Sequence, residues 1–253
     1  MTIAVLPEVT IIFLLIFARI GTLFMVMPGF SNAAINARLK LSLALMVTLV
    51  LYPLLQPRFG TISTDLIQVL ALLGRELLIG LVIGLAAAFV ISTTQIAGTI
   101  IANQIGLAYS QTFDPTQGVQ GVVVGSFLST LAAVMIFATD LHHLAIGAMF
   151  TSYDLFGPGV TPVAGDASML AVRIVSQSFA VATQMSAPFL AFGLIFYLGI
   201  GVLSRLMPQV QIFFVAMPAT IAIGLIIMAI ILGTMMAWYL MHVREVLGLF
   251  VGG

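Results

Sequence analysis

An all-α, membrane-associated fold follows from three properties of these 253 residues. Hydrophobic residues make up 62% of the chain and charged residues 6%, where soluble domains carry about 25% charged residues. The apolar runs are long enough to cross or lie deep in a bilayer, which takes about 20 residues. Where the chain turns more polar, at Ser92, Gln95, Thr99, Asn103 and Gly106, the polar and small positions recur every three or four residues, the spacing of one helix face.

Composition also excludes several function classes. Eight basic and eight acidic residues balance to zero, so nothing suggests a nucleic-acid partner. Cysteine is absent, which removes a disulfide framework, a thiolate nucleophile and a thiolate metal site. The start bears Glu8 and no basic cluster before its apolar run, unlike a cleavable signal peptide. A resident membrane component is expected from the first residues.

The first apolar run, Val9 to Phe30, carries Arg19 near its centre and stops at Met27-Pro28-Gly29. A polar connection with Arg38 and Lys40 leads to a second run, Leu41 to Leu55, which ends at Tyr52-Pro53. The third run, Leu66 to Ile91, holds Arg75 and Glu76 side by side, then Gly80 and Gly84; the amphipathic stretch Ser92 to Ile105 follows it. After a polar loop come Val122 to Thr139, the punctuation Asp140-Leu141-His142-His143, and Leu144 to Tyr153. The Pro- and Gly-rich stretch Asp154 to Asp166 reads as an exposed connection. Ala167 to Ala187 is a mixed helix, Pro188 begins a run to Ser204, and Arg205 to Gln209 turns into the last run, Ile212 to Leu240, interrupted by Pro218.

The polar loop organises the rest. Gly106 to Gly121 is a run of Gly, Gln, Ser and Thr broken by Asp114-Pro115. Asp-Pro and repeated Gly disfavour continuous helix. Facing lipid, such a loop would leave backbone groups unpaired at several kcal/mol each. It therefore belongs at a membrane surface, inside protein, or against a watery conduit.

Isolated polar groups have two readings each. Arg19 costs roughly 2.5–3.5 kcal/mol at a bilayer centre on insertion scales. It is either a buried contact across a helix or subunit interface, with Glu76 one partner to consider, or a charge that snorkels to water. Gly80 with Gly84, and Gly121 with Gly125, fit the small-residue spacing that lets helices approach closely. Asp140, His142 and His143 tempt a metal reading, but adjacent histidines diverge on a helix and no His-Glu-x-x-His arrangement is present. A helix-end or interfacial role is preferred, and no metal is expected. With no Gly-x-Ser-x-Gly elbow and no phosphate-cradling loop, the sequence reads as non-enzymatic, without catalytic residues or cofactors.

Taken in order, these features resemble the FliR family of flagellar export components, whose injectisome relatives are called SctT. The carriers are Phe17-Ala18-Arg19 with Pro28, Ala37-Arg38-Leu39-Lys40-Leu41 before Tyr52-Pro53, Glu76-Leu77-Leu78-Ile79-Gly80 with Gly84, and Ala97-Gly98 with Gln104-Ile105-Gly106. Asp114-Pro115, His143-Leu144 and Arg205-Leu206-Met207-Pro208-Gln209-Val210-Gln211-Ile212-Phe213 with Pro218 complete the set. Thr99 stands where such families often have an acidic residue, and His142 where they often have Gly.

The resemblance implies one export-gate domain over residues 1–253, made of kinked hydrophobic helical hairpins. It would be built into a helical hetero-oligomer around a pore, at the bacterial inner membrane in the flagellar basal body. Implied partners are FliP-like, FliQ-like, FlhB-like and FlhA-like subunits and unfolded flagellar export substrates, with no nucleic acid. Residues 106–121 are implied to plug the pore: Gly106, Tyr109, Gln111, Phe113, Asp114, Pro115, Gln117, Gly118, Gln120 and Gly121. Arg19, Glu76, Gly80, Gly84, Arg205, Pro208 and Gln209 are expected to pack helices or subunits. An injectisome subunit, a small-solute transporter lined by the polar stripe, and a pure scaffold are the rival readings, with an intramembrane hydrolase behind them.

Overall fold

The computed structural model describes residues 5–26, 36–60, 62, 65–107, 120–158, 164–207 and 212–251. Among these there are seven α-helices and one 3-10 turn, and no strand. The helices are α1 (Val5–Val26), α2 (Ala37–Leu55), α3 (Leu66–Gln104), α4 (Gln120–Ala138), α5 (Leu141–Leu155), α6 (Ala164–Leu206) and α7 (Ile212–Val251).

Local chemistry sets several of the ends. Pro7 falls in the first turn of α1, where its missing N–H removes no helical bond. Asn36 caps α2, its Oδ1 accepting from the Arg38 N–H at 3.1 Å; such caps contribute about 1 kcal/mol. Pro57 stands at the start of the 3-10 turn Gln56–Phe59, and Gly60 at φ 46° ends it. Asp140, at φ 58°, separates α4 from α5. Asp tolerates this left-handed conformation better than most residues because its short polar side chain can bond locally, although Asp140 makes no side-chain cap hydrogen bond to α5.

Several sequence-expected breaks are absent. α6 passes through Pro188 and α7 passes through Pro218, while the helical pattern of the Ser92 stretch is continuous with the run before it in α3. α2 includes Pro53 and ends at Leu55, the expected end of the second run. α6 begins at Ala164, inside the expected connection, and α7 continues past Leu240 to Val251. A proline inside a helix costs about one bond and some strain. Unwinding the chain in an apolar setting would instead leave several backbone groups unpaired, so the helix continues. The polar residues of α3 do not break it because they bond back to their own helix: Thr99 Oγ1 donates to the Gln95 carbonyl at 2.9 Å and Asn103 Nδ2 to the Thr99 carbonyl at 2.8 Å.

Among the described residues, five helical segments are long and apolar enough to cross a membrane, or six if α4 and α5 form one broken span. α3, α6 and α7 have 39, 43 and 40 residues. At 1.5 Å per residue each is about 60 Å long if straight, near twice the roughly 30 Å hydrocarbon core. In the single chain only 17% of the α6 apolar segment and 22% of that of α7 are buried. Exposed apolar surface on this scale marks contact with lipid or with other protein.

The chain forms two compact units: residues 1–90, 140–175 and 244–253, and residues 91–139 and 176–243. In the first, α1 buries Ile12, Leu15, Ile16, Ile20 and Leu23, a stripe at helical spacing. α1 lies against α2 through Phe13 and Tyr52, whose rings are 6.0 Å apart. It also lies against α3, where a Cβ at Gly80 would stand 2.5 Å from the Arg19 carbonyl oxygen. In the second unit, α6 turns Ser178, Ala182, Met185, Ser186, Phe189 and Gly193 inward.

Candidate functional site

Two constellations stand out, one in each unit. In the first unit Arg19 is 1% exposed yet fully engaged. Its Nε donates to Glu76 Oε2 of α3 at 2.6 Å. Nη1 donates to the Ser152 carbonyl at 3.1 Å and Nη2 to the Phe156 carbonyl at 2.9 Å, both at the end of α5. The guanidinium also lies 3.8 Å from the centre of the Tyr153 ring. A cation at a helix C-terminus meets its partial negative charge, and the carboxylate of Glu76, 1% exposed, supplies the full counter-charge. Arg19 thus ties together α1, α3 and α5, in place of snorkelling. The planar fork of arginine suits three such acceptors. Gly80 and Gly84 sit beside this centre, a Cβ at Gly84 standing 3.0 Å from the Val26 Cβ.

The second constellation is the root of the polar stretch. α3 ends where the Ile105 N–H donates to the Ile101 carbonyl at 2.9 Å, and Gly106 follows at φ 84°. Glycine adopts this left-handed conformation without the cost it imposes on other residues. Behind the root, α3 and α4 touch backbone to backbone, for a Cβ on Gly98 would overlap the Gly125 Cα and N. Thr94 Oγ1 and Ser129 Oγ, one hydrogen bond apart at 2.9 Å, extend the same seam. Gln104 lies over Gly193 of α6 and Ile105 over Gly224 of α7, while Ala97, Ile101, Ala102 and Ile105 are fully buried. Ser186 of α6 donates to the Ala97 carbonyl at 3.3 Å.

The structure places the other expected residues unevenly. Tyr109, Gln111, Phe113, Asp114, Pro115, Gln117 and Gly118 lie outside the described residues, as do Pro208 and Gln209. Gln120 and Gly121 open α4, and Arg205 stands exposed in the last turn of α6. Gly193 and Gly224 were not singled out from sequence. Their partners lie on α3, far away in the chain, so no local spacing announces them.

Asp140, His142 and His143 each offer a ligand atom within 4.8 Å of the others, and the two rings are 4.1 Å apart centre to centre. They do not diverge as adjacent helical residues ordinarily do. His143 Nδ1 and Asp140 Oδ1, 3.7 Å apart, are on largely exposed side chains. That arrangement suits a solvated helix start as well as a metal ligand set, and no second feature favours the metal.

A family model for bacterial export proteins, family 1, matches residues 10–246. The chain is 40% identical over 237 residues to the flagellar biosynthetic protein FliR of Caulobacter vibrioides, covering 93% of this chain and 94% of that protein. It is 28% identical to FliR of Bacillus subtilis, covering 86% and 85% of the two chains. The Yop proteins translocation protein T of Yersinia pestis is 26% identical, with 88% and 86% covered.

Proposed function

The chain belongs to the bacterial export proteins, family 1, and from that premise we propose that it is a conduit subunit of the flagellar type III export gate, sealed by residues 106–121. Flagellar membership is preferred to an injectisome role because similarity is 40% to a FliR and 26% to the injectisome-type translocation protein.

In this reading the subunit is non-enzymatic and sits at the bacterial inner membrane. It works with FliP-like, FliQ-like, FlhB-like and FlhA-like components to pass unfolded flagellar proteins. Helices near twice the hydrocarbon thickness, with only 17% and 22% of the α6 and α7 apolar segments buried, support burial against neighbouring subunits for part of their length.

The observation that carries the sealing role is the contrast between the polar stretch and its root. Gly106 to Gly121 is rich in Gly, Gln, Ser and Thr, while the helices it joins meet at Gly98 and Gly125 with no room for a methyl group. A bendable segment on a rigid stem can fill a lumen and yield to an arriving chain. Its amides and hydroxyls hydrogen-bond water or a passing backbone without a strong charge that would hold one substrate. Tyr109 and Phe113 supply the bulk.

Photo-cross-linkers at Tyr109 and Phe113, with an export substrate stalled in transit, test the reading. Adducts to the substrate are expected. Their absence, with stalling verified, would favour a scaffold past which substrate travels elsewhere. Movement of a small solute by the purified chain alone would favour a transporter.

A further inference from the structure

We infer that Ile105 and Gln104 are positioning residues, seated in glycine notches of two other helices so that the polar stretch leaves the fold at one fixed place; this rests on the sealing role proposed above.

Three glycines on three different helices face the last turns of α3. Gly125 of α4 meets Gly98, Gly193 of α6 meets Gln104, and Gly224 of α7 meets Ile105. All six residues belong to one compact unit. Other glycines on α6 and α7, including Gly199, Gly201 and Gly233, have nothing within 4 Å of an added Cβ. Glycine in a helix interior is disfavoured relative to alanine. At Gly193 and Gly224 that cost is matched by a side chain lying where the Cβ would be.

The two notches differ in hardness. A Cβ on Gly224 would overlap the Ile105 Cγ2 and stand 2.7 Å from the Ile105 Cβ. Ile105 branches at that carbon and has few rotamers, so relief requires the backbone at the end of α3 to move. A Cβ on Gly193 would overlap the Gln104 Nε2, and a glutamine side chain can swing aside. Immediately beyond Ile105 the chain turns at Gly106, φ 84°. A shift of Ile105 is therefore passed directly to the exit of the polar stretch.

The test uses the chain assembled with its partner subunits in membranes, with ion conductance of the resting gate and subunit content read on the same preparation. Gly224→Ala is expected to assemble normally and to raise resting conductance several-fold. Gly193→Ala should raise it less, and Gly233→Ala not at all. Adding Ile105→Ala to Gly224→Ala removes the Cγ2 that the new methyl meets first, leaving only the 2.7 Å approach of the Cβ, and should bring the conductance part of the way back toward wild type. That rescue separates positioning from a general loss of packing, which a second truncation would worsen. An assembled, ion-tight Gly224→Ala gate overturns the inference, as does a leak that Ile105→Ala leaves unchanged or increases. Should Gly224→Ala not assemble, Gly193→Ala with Gln104→Ala as its relief carries the same comparison. A variant lacking residues 111–120 is run beside these. If it leaks while Gly224→Ala stays tight, only the positioning role fails; if it too stays tight, the sealing role fails first.

Discussion

Arg19 Nε lies 2.6 Å from Glu76 Oε2, and both side chains are almost sealed from solvent. This contact joins α1 to α3, while the rest of the guanidinium holds the end of α5. Two helices distant in sequence from α5 are thereby fixed to it by one residue. Removing one partner of a buried ion pair strands the other charge and costs about 3–5 kcal/mol, whereas replacing both with apolar groups of similar volume is often neutral. Arg19→Met alone and Glu76→Gln alone should each lower the unfolding midpoint of the detergent-solubilised chain sharply. The double variant Arg19→Met/Glu76→Leu should recover much of the loss. Additive losses in the double variant would show that the pair is not coupled.

Gly80 gives a second prediction in the same unit. A methyl there would stand 2.5 Å from the Arg19 carbonyl oxygen and 3.1 Å from the Thr22 Cβ, so backbone must move to admit it. Overpacking of this kind costs about 1–3 kcal/mol. Gly80→Ala should destabilise, while Gly74→Ala, on the same helix with nothing within 4 Å, should be neutral or stabilise by up to about 1 kcal/mol. Chemical denaturation of the two variants in one detergent decides the matter. Equal stabilities would contradict the close approach of α1 and α3.

Asp140 carries a backbone prediction. At φ 58° it is the one non-glycine residue in the left-handed region among the described residues. Asp140→Gly should be tolerated and Asp140→Val should cost about 1–2 kcal/mol, the penalty that a Cβ brings in this region. Thermal unfolding measures both. A harmless valine would mean that α4 and α5 are not separated by this turn.

The helical class and most of the segments were legible in the sequence because apolar length and polar punctuation act locally. Prolines 188 and 218 misled the boundaries: the sequence records the lost donor, but not the apolar setting that makes unwinding costlier than one missing bond. The Ser92–Asn103 stripe was legible as one helix face, and Thr99 and Asn103 satisfy themselves on their own helix. Arg19 and Glu76 drew attention because charge is rare in so apolar a chain; that Ser152 and Phe156 offer their carbonyls to Arg19 was not readable, since any residue has a carbonyl. The notches at Gly193 and Gly224 were invisible for a related reason. A glycine's partner on another helix leaves no trace in its own neighbourhood.

If residues 106–121 seal a channel, deleting residues 111–120 should open it, and the ion conductance of membranes holding that assembled gate reads this out. A complex of unchanged subunit content that conducts small ions at rest, where the wild-type gate does not, is expected. A deleted gate that assembles and remains as ion-tight as wild type would contradict it.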